Sequence, residues 1–280
     1  MKTTIWENLS KLDKRWIFLC MLFAVTLPLL FPINLPLSAS EPVMSFYKTV
    51  EAIPEGSLVL VSNDYDPGSK AELYPMTEAV FYHLFKKKCR IVILSLYPAG
   101  PPMSERAIEQ MRTLFPNIKD QVDYINLGYK DGREAVIVEM GRSLKGAFPR
   151  DYRGRAVTDA PIMAEVENYK NFKAVVSISV GYPGTKEYVQ YAQGRFNLTL
   201  LAGAAAVSVP EYSAYYNAGQ LKGMLTGITG AGEYEELVDR RALAAKATDA
   251  QAFGHTFIIL LIIVGNVAWF TSKRKGGKHV

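Results

Sequence analysis

The residues best suited to chemistry form two short groups, each placed directly after a strand-like segment. The first group is Asn63, Asp64 and Asp66, with Tyr97 after the next such segment. Their oxygen atoms would suit a divalent cation, or one carboxylate would serve as a general base. Asn, Asp, Pro and Gly are also the standard turn residues, and this stretch continues into Pro67-Gly68. Both interpretations stay open, and the pattern favours the turn.

The second group is a strand–loop–helix segment that contains Gly181, Gly184, Thr185 and Lys186. Backbone amides at the start of a helix bind anions, so a small anionic ligand is one interpretation. The segment lacks the spacing of a phosphate loop, because its lysine follows the threonine instead of preceding it. A tight turn with Thr185 as the helix N-cap is the favoured alternative.

Neither group completes a recognised catalytic or metal-binding set. The sequence has three histidines, and none lies at ligand spacing from a cysteine, so no metal site is predicted. A serine–histidine–aspartate triad would have to use His83, which lies in a helical pattern, and no G-x-S-x-G motif occurs. No catalytic residue is therefore predicted, and the cofactor is unknown. Whether the chain is an enzyme stays open, although these observations weigh against an enzyme.

The elements that must position these groups alternate between strands and helices. Apolar strand patterns at residues 57–62, 90–96, 122–127, 174–180 and 198–202 are separated by helical patterns, including 72–87, 104–114, 133–144 and 185–193. Continuously apolar strands are typical of a parallel sheet covered on both faces. We therefore predict a Rossmann-like or flavodoxin-like three-layer α/β domain over residues 41–232. Ligands of such folds bind beyond the carboxyl ends of the strands.

Three glycines near the end of this predicted domain, Gly219, Gly223 and Gly227, are spaced four residues apart. On one helix this spacing would leave a bare groove that another backbone can approach closely. The groove would serve either self-association or partner binding, or it would pack inside the same domain. The sequence favours neither.

The basic character of the chain belongs to its two ends. Of the net charge of +5, residues 1–15 carry +2 and residues 273–280 carry +4, which leaves −1 for residues 16–272. A nucleic-acid partner is therefore not predicted. The basic loop that contains Arg150, Arg153 and Arg155 also holds Asp151 and is interpreted as solvated or locally paired.

Each basic end adjoins an uncharged apolar segment. Residues 253–270 predict a transmembrane helix, preceded by a charged juxtamembrane helix at 233–252. Residues 16–38 predict a second anchor, or a signal peptide cleaved near Ser40. Positive flanks stay in the cytoplasm, so the chain is predicted to cross the cell membrane twice with both ends inside and residues 41–232 outside. Cys20 and Cys89 are not expected to form a disulfide.

These expectations combine into two hypotheses of function. The first is a non-catalytic, membrane-anchored α/β domain that serves as a structural or interaction component. Its partners would be the lipid bilayer and either further copies of itself or other membrane proteins. The alternative is an extracytoplasmic enzyme or ligand sensor that binds a small anionic or metal-linked ligand at the strand ends.

Overall fold

The computed structural model describes residues 13–31 and 33–276. The chain divides into two compact units, one formed by Leu37–Ala245 and the other by Met1–Pro36 with Lys246–Val280. The predicted domain of residues 41–232 lies within the larger of these units. Residues 1–12 and 277–280 of the two predicted basic tails lie outside the described residues.

A six-stranded, fully parallel sheet forms the centre of the larger unit. Its order is β3-β2-β1-β4-β5-β6, the order of the Rossmann fold, so the Rossmann-like prediction is confirmed in preference to the flavodoxin-like one. The strand order reverses between β1 and β4. The strands are β1 (Leu58–Asp64), β2 (Arg90–Ser95), β3 (Tyr124–Tyr129), β4 (Ala174–Ser179), β5 (Leu200–Ala204) and β6 (Met224–Thr226).

Helices cover both faces of this sheet and make three layers. Alternate residues of β1 enter different cores, with Val59 and Val61 on one face and Leu58 and Leu60 on the other. The first face packs against α2 (Glu41–Glu51), α3 (Lys70–Lys86), α4 (Gly100–Leu114) and α10 (Gly227–Leu237). The second packs against α5 (Glu134–Met140), α6 (Leu144–Ala147), α7 (Thr185–Tyr188) and α9 (Val209–Asn217); α8 (Gly194–Phe196) follows α7.

Several predicted helix boundaries were wrong. Helix α4 begins at Gly100 and not at Ser104, because Pro101 and Pro102 fit the first turn, where no backbone N–H is needed. The Ser104 hydroxyl donates to the Gly100 carbonyl and so lies inside the helix. The predicted helix at 133–144 ends at Met140, and α2, α9 and β6 were missed.

The two terminal apolar segments are both helical. Helix α1 (Lys14–Leu30) has 17 residues and includes Pro28 in its last turn. Helix α11 (Leu243–Gly276) has 34 residues. Within the described part of the chain one helix, Leu243–Phe270 of α11, is long and apolar enough to span a membrane. The predicted juxtamembrane helix at 233–252 is not continuous, because α10 ends at Leu237 and α11 begins only at Leu243.

Candidate functional site

The carboxyl end of β1 holds the first predicted group, but its members do not converge. Asn63 and Asp64 are neighbours in a strand, so their side chains lie on opposite faces of the sheet. The Asn63 amide donates to the Ser104 hydroxyl at 2.8 Å, on the α4 side. Asp66 instead caps the short helical turn that follows it, where it accepts from Ser69 N at 3.1 Å. The hydrogen bonds of Asn63 and Asp66 therefore go to different segments, and the turn interpretation describes Asp66.

Asp64 is the most unusual group at this end of the sheet. Its carboxylate is fully buried and accepts from Leu96 N and from the Ser62 hydroxyl, both at 2.6 Å. Burial raises the pKa of Asp64 to about 7, which these hydrogen bonds oppose and the nearby Glu187 carboxylate reinforces. Asp64 also joins the loop after β2 to the end of β1.

The segment from Gly181 to Lys186 forms a closed turn at the end of β4. Glu187, whose carboxylate is buried, accepts from Gly184 N at 2.7 Å. Thr185 was predicted to cap the helix; instead it is the first helical residue, and its hydroxyl bonds to Ser177 and Ser179 of β4. The chain's own carboxylate thus occupies the amide that an external anion would need.

Gly184 is required by close packing in this turn. A Cβ atom there would lie 2.4 Å from the Gly181 carbonyl oxygen and 2.6 Å from the Ser179 side chain. No side chain fits at that distance. Gly181 has open space around its Cα.

The only lysine of the predicted group, Lys186, is paired. Its Nζ lies 2.9 Å from Glu211 Oε1 of α9, and this hydrogen bond raises the pKa of Lys186. Glu211 and Tyr212 complete the wall of a narrow cleft of about 120 Å³, lined otherwise by Gly181, Tyr182, Lys186 and Glu187.

Tyr97 connects the two predicted groups across the point where the strand order reverses. Its hydroxyl donates to the Tyr182 carbonyl at 2.7 Å, which links the loops after β2 and β4. The Tyr182 hydroxyl donates to Glu134 at the start of α5. The structure therefore brings Tyr97 to the Gly181–Lys186 segment, while the Asn63 amide bonds to Ser104 instead. Burial raises the pKa of Tyr97, and the carboxylates of Asp64, Asp66 and Glu187 reinforce this rise.

Sequence reasoning missed Tyr182, Glu187 and Glu211. Tyr182 lies inside the Gly181–Lys186 segment and Glu187 directly follows it, so their positions in the sequence were enough to suggest that they belong to this turn. Glu211 comes from a helix that was not predicted, and no local pattern connects it with Lys186.

The interpretation of the three glycines as one helical stripe was wrong. Gly219 follows α9 in the left-handed region, with φ of 73°, and Gly227, with φ of 57°, begins α10. Gly223 lies just before β6, where a Cβ atom would be 2.3 Å from both N and Cα of Phe46. The spacing of four residues crosses a turn and a strand, so no bare helical groove exists. Gly223 serves packing inside the domain.

The remaining polar groups singled out from the sequence have structural roles. His83 is buried, with Nδ1 2.6 Å from the Tyr234 hydroxyl and Nε2 2.8 Å from Glu51 Oε1. Arg153 and Arg155 pair with acidic residues of neighbouring segments: Glu105, Asp120 and Asp151. The Arg150 guanidinium donates to the Gly154 carbonyl. Among the residues that the structure describes, no three His, Cys, Asp or Glu side chains form a group that could hold a metal ion.

Comparisons with known proteins give no family. No family model and no curated protein matches the chain. Among solved structures, a trehalose-6-phosphate synthase, OtsA, is similar, with a TM-score of 0.33 and 10% sequence identity. The match covers 85% of this chain and 47% of that one, so the chain spans about half the length of that structure. A likeness at this level identifies neither a family nor an activity.

Proposed function

We propose that the chain is a membrane-tethered α/β domain that acts as a structural or interaction component of a membrane assembly and not as a catalyst. One observation carries the proposal: the groups of the Gly181–Lys186 turn that could bind an anion are already bonded to carboxylates of the chain itself. Glu187 holds the Gly184 amide and Lys186 holds Glu211. A site built for an anion would leave the amide and the lysine free.

The proposed tether has two parts. Helix α11 supplies a span of suitable length and composition, and α1 is the proposed second anchor. At 17 residues, α1 measures about 26 Å, slightly less than a ~30 Å hydrocarbon core. The basic residues outside both segments support cytoplasmic ends, which would put the domain on the extracytoplasmic side.

The test is the size and composition of the particle that leaves the membrane. The full chain, tagged at its native expression level, is extracted in a mild detergent, and its protein mass is measured by light scattering. We expect a protein mass well above the 31.1 kDa of one chain, with either further copies or a constant set of co-purifying membrane proteins. A single chain without a partner would contradict the proposal.

A matched pair of variants separates assembly from ligand chemistry. Lys186→Gln removes the ion pair at the strand ends, and Lys145→Gln removes a charge on the surface of α6. If the domain is an assembly component whose strand-end charges are structural, both variants keep the particle size of the wild type.

A ligand-binding role is the second candidate, and Asp64 is the observation in its favour. This buried acid, with its pKa near 7, lies where Rossmann-type folds bind ligands. Thermal shifts of the full chain with a panel of small metabolites test it. A compound that stabilises the wild type but not Asp64→Asn supports this role, and a panel without any such compound removes it.

A further inference from the structure

An open cleft of about 480 Å³ lies at the amino ends of the strands, whereas Asp64 and the Gly181–Lys186 segment lie at their carboxyl ends. Its polar lining consists of three lysines and three hydroxyl residues: Ser45, Lys48, Thr49, Lys173, Thr199 and Lys222. Lys173 directly precedes β4, Thr199 directly precedes β5, and Lys222 lies two residues before β6. The cleft therefore gathers the amino ends of three neighbouring strands against one face of α2. We name it the lysine cleft.

The three lysines are uncompensated. No acidic residue is among those that line the cleft. Across the part of the chain that the structure describes, no carboxylate lies within ion-pair distance of Lys48, Lys173 or Lys222. Other lysines of this domain do have carboxylate partners, as Lys88 does with Glu55 and Lys186 with Glu211. Three like charges facing one cleft repel each other, and a bound anion relieves that repulsion.

Local packing places Lys222 beside α2. The Ser45 hydroxyl donates to the Lys222 carbonyl at 2.7 Å, and the Thr49 hydroxyl does so at 3.4 Å. The absence of a side chain at Gly223 lets this strand approach the backbone of Phe46. Two hydrogen bonds and one close contact thus fix the backbone at Lys222, from which its exposed side chain extends at the cleft.

From this arrangement we propose that the lysine cleft binds a phosphate-bearing ligand. Lysine recognises phosphate as a compact positive charge, and the size of the cleft falls within the roughly 300–1,000 Å³ of small-ligand sites. The phosphate belongs either to an anionic lipid headgroup or to a soluble phosphorylated compound. The chemistry of recognition is the same for both. This inference does not depend on the proposed role in assembly.

The experiment measures protection of the lysines from an amine-reactive reagent, read by mass spectrometry on the full chain. In one arm the protein is in a nonionic detergent, and inorganic phosphate is titrated against sodium chloride of equal ionic strength. In the other arm it is in nanodiscs of phosphatidylcholine, with or without phosphatidylglycerol, in a buffer free of inorganic phosphate. Lys119, Lys145 and Lys170, which lie outside the cleft, are the internal reference.

The arms distinguish the two sources. Protection of the three cleft lysines by phosphate beyond the effect of chloride supports a soluble phosphorylated ligand. Protection only in nanodiscs with phosphatidylglycerol supports a lipid headgroup. If the cleft lysines react like the reference lysines in both arms, the proposal is overturned.

Charge-matched variants complete the test. Combined replacement of Lys48, Lys173 and Lys222 by Gln should weaken binding of the effective probe about tenfold or more, since three favourable charge contacts are lost. The same replacement of Lys119, Lys145 and Lys170 removes equal charge and should change binding by less than about twofold. Melting temperatures of both triple variants show whether the fold is retained. Equal weakening by the two would mean that net charge, and not the cleft, attracts the anion.

Discussion

At the scale of single residues, the burial of a side chain decides its chemistry more than its type does. Asn63, Asp64 and Asp66 form one polar group in the sequence, yet they have three different environments. Asn63 is locked to α4, Asp66 caps an exposed turn, and Asp64 is buried beneath the loop after β2. Burial shifts the pKa of Asp64 into the neutral range.

Asp64 should make the stability of the domain depend on pH. Burial favours the protonated acid, so folded Asp64 keeps its proton up to a pH of about 7, whereas unfolded Asp releases it near ~3.9. The stability that this proton contributes is full below the unfolded pKa and is lost as the pH rises to about 7. Relative to Asp64→Asn, the free energy of unfolding of the wild type should fall by on the order of 4 kcal/mol between pH 4 and pH 8.

Urea unfolding of the full chain in detergent, followed by circular dichroism, measures this difference at each pH. Asp66→Asn is the matched control, because Asn is an equally good cap at that exposed position. A constant gap between wild type and Asp64→Asn across the pH range would show that Asp64 keeps an ordinary pKa.

Gly223 should be intolerant of even one methyl group. In Gly223→Ala the new Cβ atom would meet the Phe46 backbone, which cannot move aside as a flexible side chain would. We expect a loss of about 1–3 kcal/mol in the free energy of unfolding. Gly181→Ala, in open space, should stay within about 0.5 kcal/mol of the wild type. Equal melting temperatures for the two variants would contradict this close contact.

At the scale of elements, buried carboxylates hold chain segments where helices begin. Glu187 closes the turn before α7, and Glu235 of α10 does the same for α11. The Glu235 side chain is buried and accepts from the backbone amides of Ala242, Ala244 and Ala245, at 2.8, 3.1 and 2.9 Å. A helix start leaves its first amides without backbone partners, and this carboxylate satisfies three of them.

Replacement of Glu235 by Gln should loosen the start of α11. Gln offers one acceptor oxygen in place of two and adds a buried NH₂ group without a partner. We expect the free energy of unfolding to fall by about 1–3 kcal/mol. We also expect faster hydrogen exchange at residues 242–245, measured by mass spectrometry. Glu236→Gln breaks only the partly exposed ion pair with Arg241 and should cost less than about 1 kcal/mol. Unchanged exchange in Glu235→Gln would mean that the cap does not hold the helix.

At the scale of the whole molecule, polar groups divide between two edges of one sheet. At the carboxyl ends of the strands Lys186 pairs with Glu211, whereas at the amino ends of β4, β5 and β6 the lysines of the lysine cleft have no carboxylate partner among the described residues. The domain between the two tails is nearly neutral, so this division follows from the placement of residues and not from composition.

The proposed topology makes a prediction for the whole chain. Single cysteines at Lys170 in the domain and Lys278 in the C-terminal tail are introduced into a background with Cys20→Ser and Cys89→Ala. A membrane-impermeant maleimide should label the first in intact cells and the second only after permeabilisation, because the positive tail stays inside. Labelling of the tail cysteine in intact cells would reverse the proposed orientation.

Strand and helix periodicities are local, so the pattern of amino acids was enough to predict the class of the fold. The apolar runs of β1, β2 and β4 predicted a parallel sheet covered on both faces, and the long apolar segment at 253–270 predicted a helix of membrane-spanning length. Which polar residues meet depends instead on how distant segments pack together. Lys186 pairs with Glu211, and the Tyr97 hydroxyl bonds to Tyr182. Gly223 packs against the backbone of Phe46. No local pattern in the sequence encodes these contacts. The lysine cleft shows the same limit, since its lysines come from three separate segments. They adjoin one another only because strands that are distant in the chain begin at the same edge of the sheet.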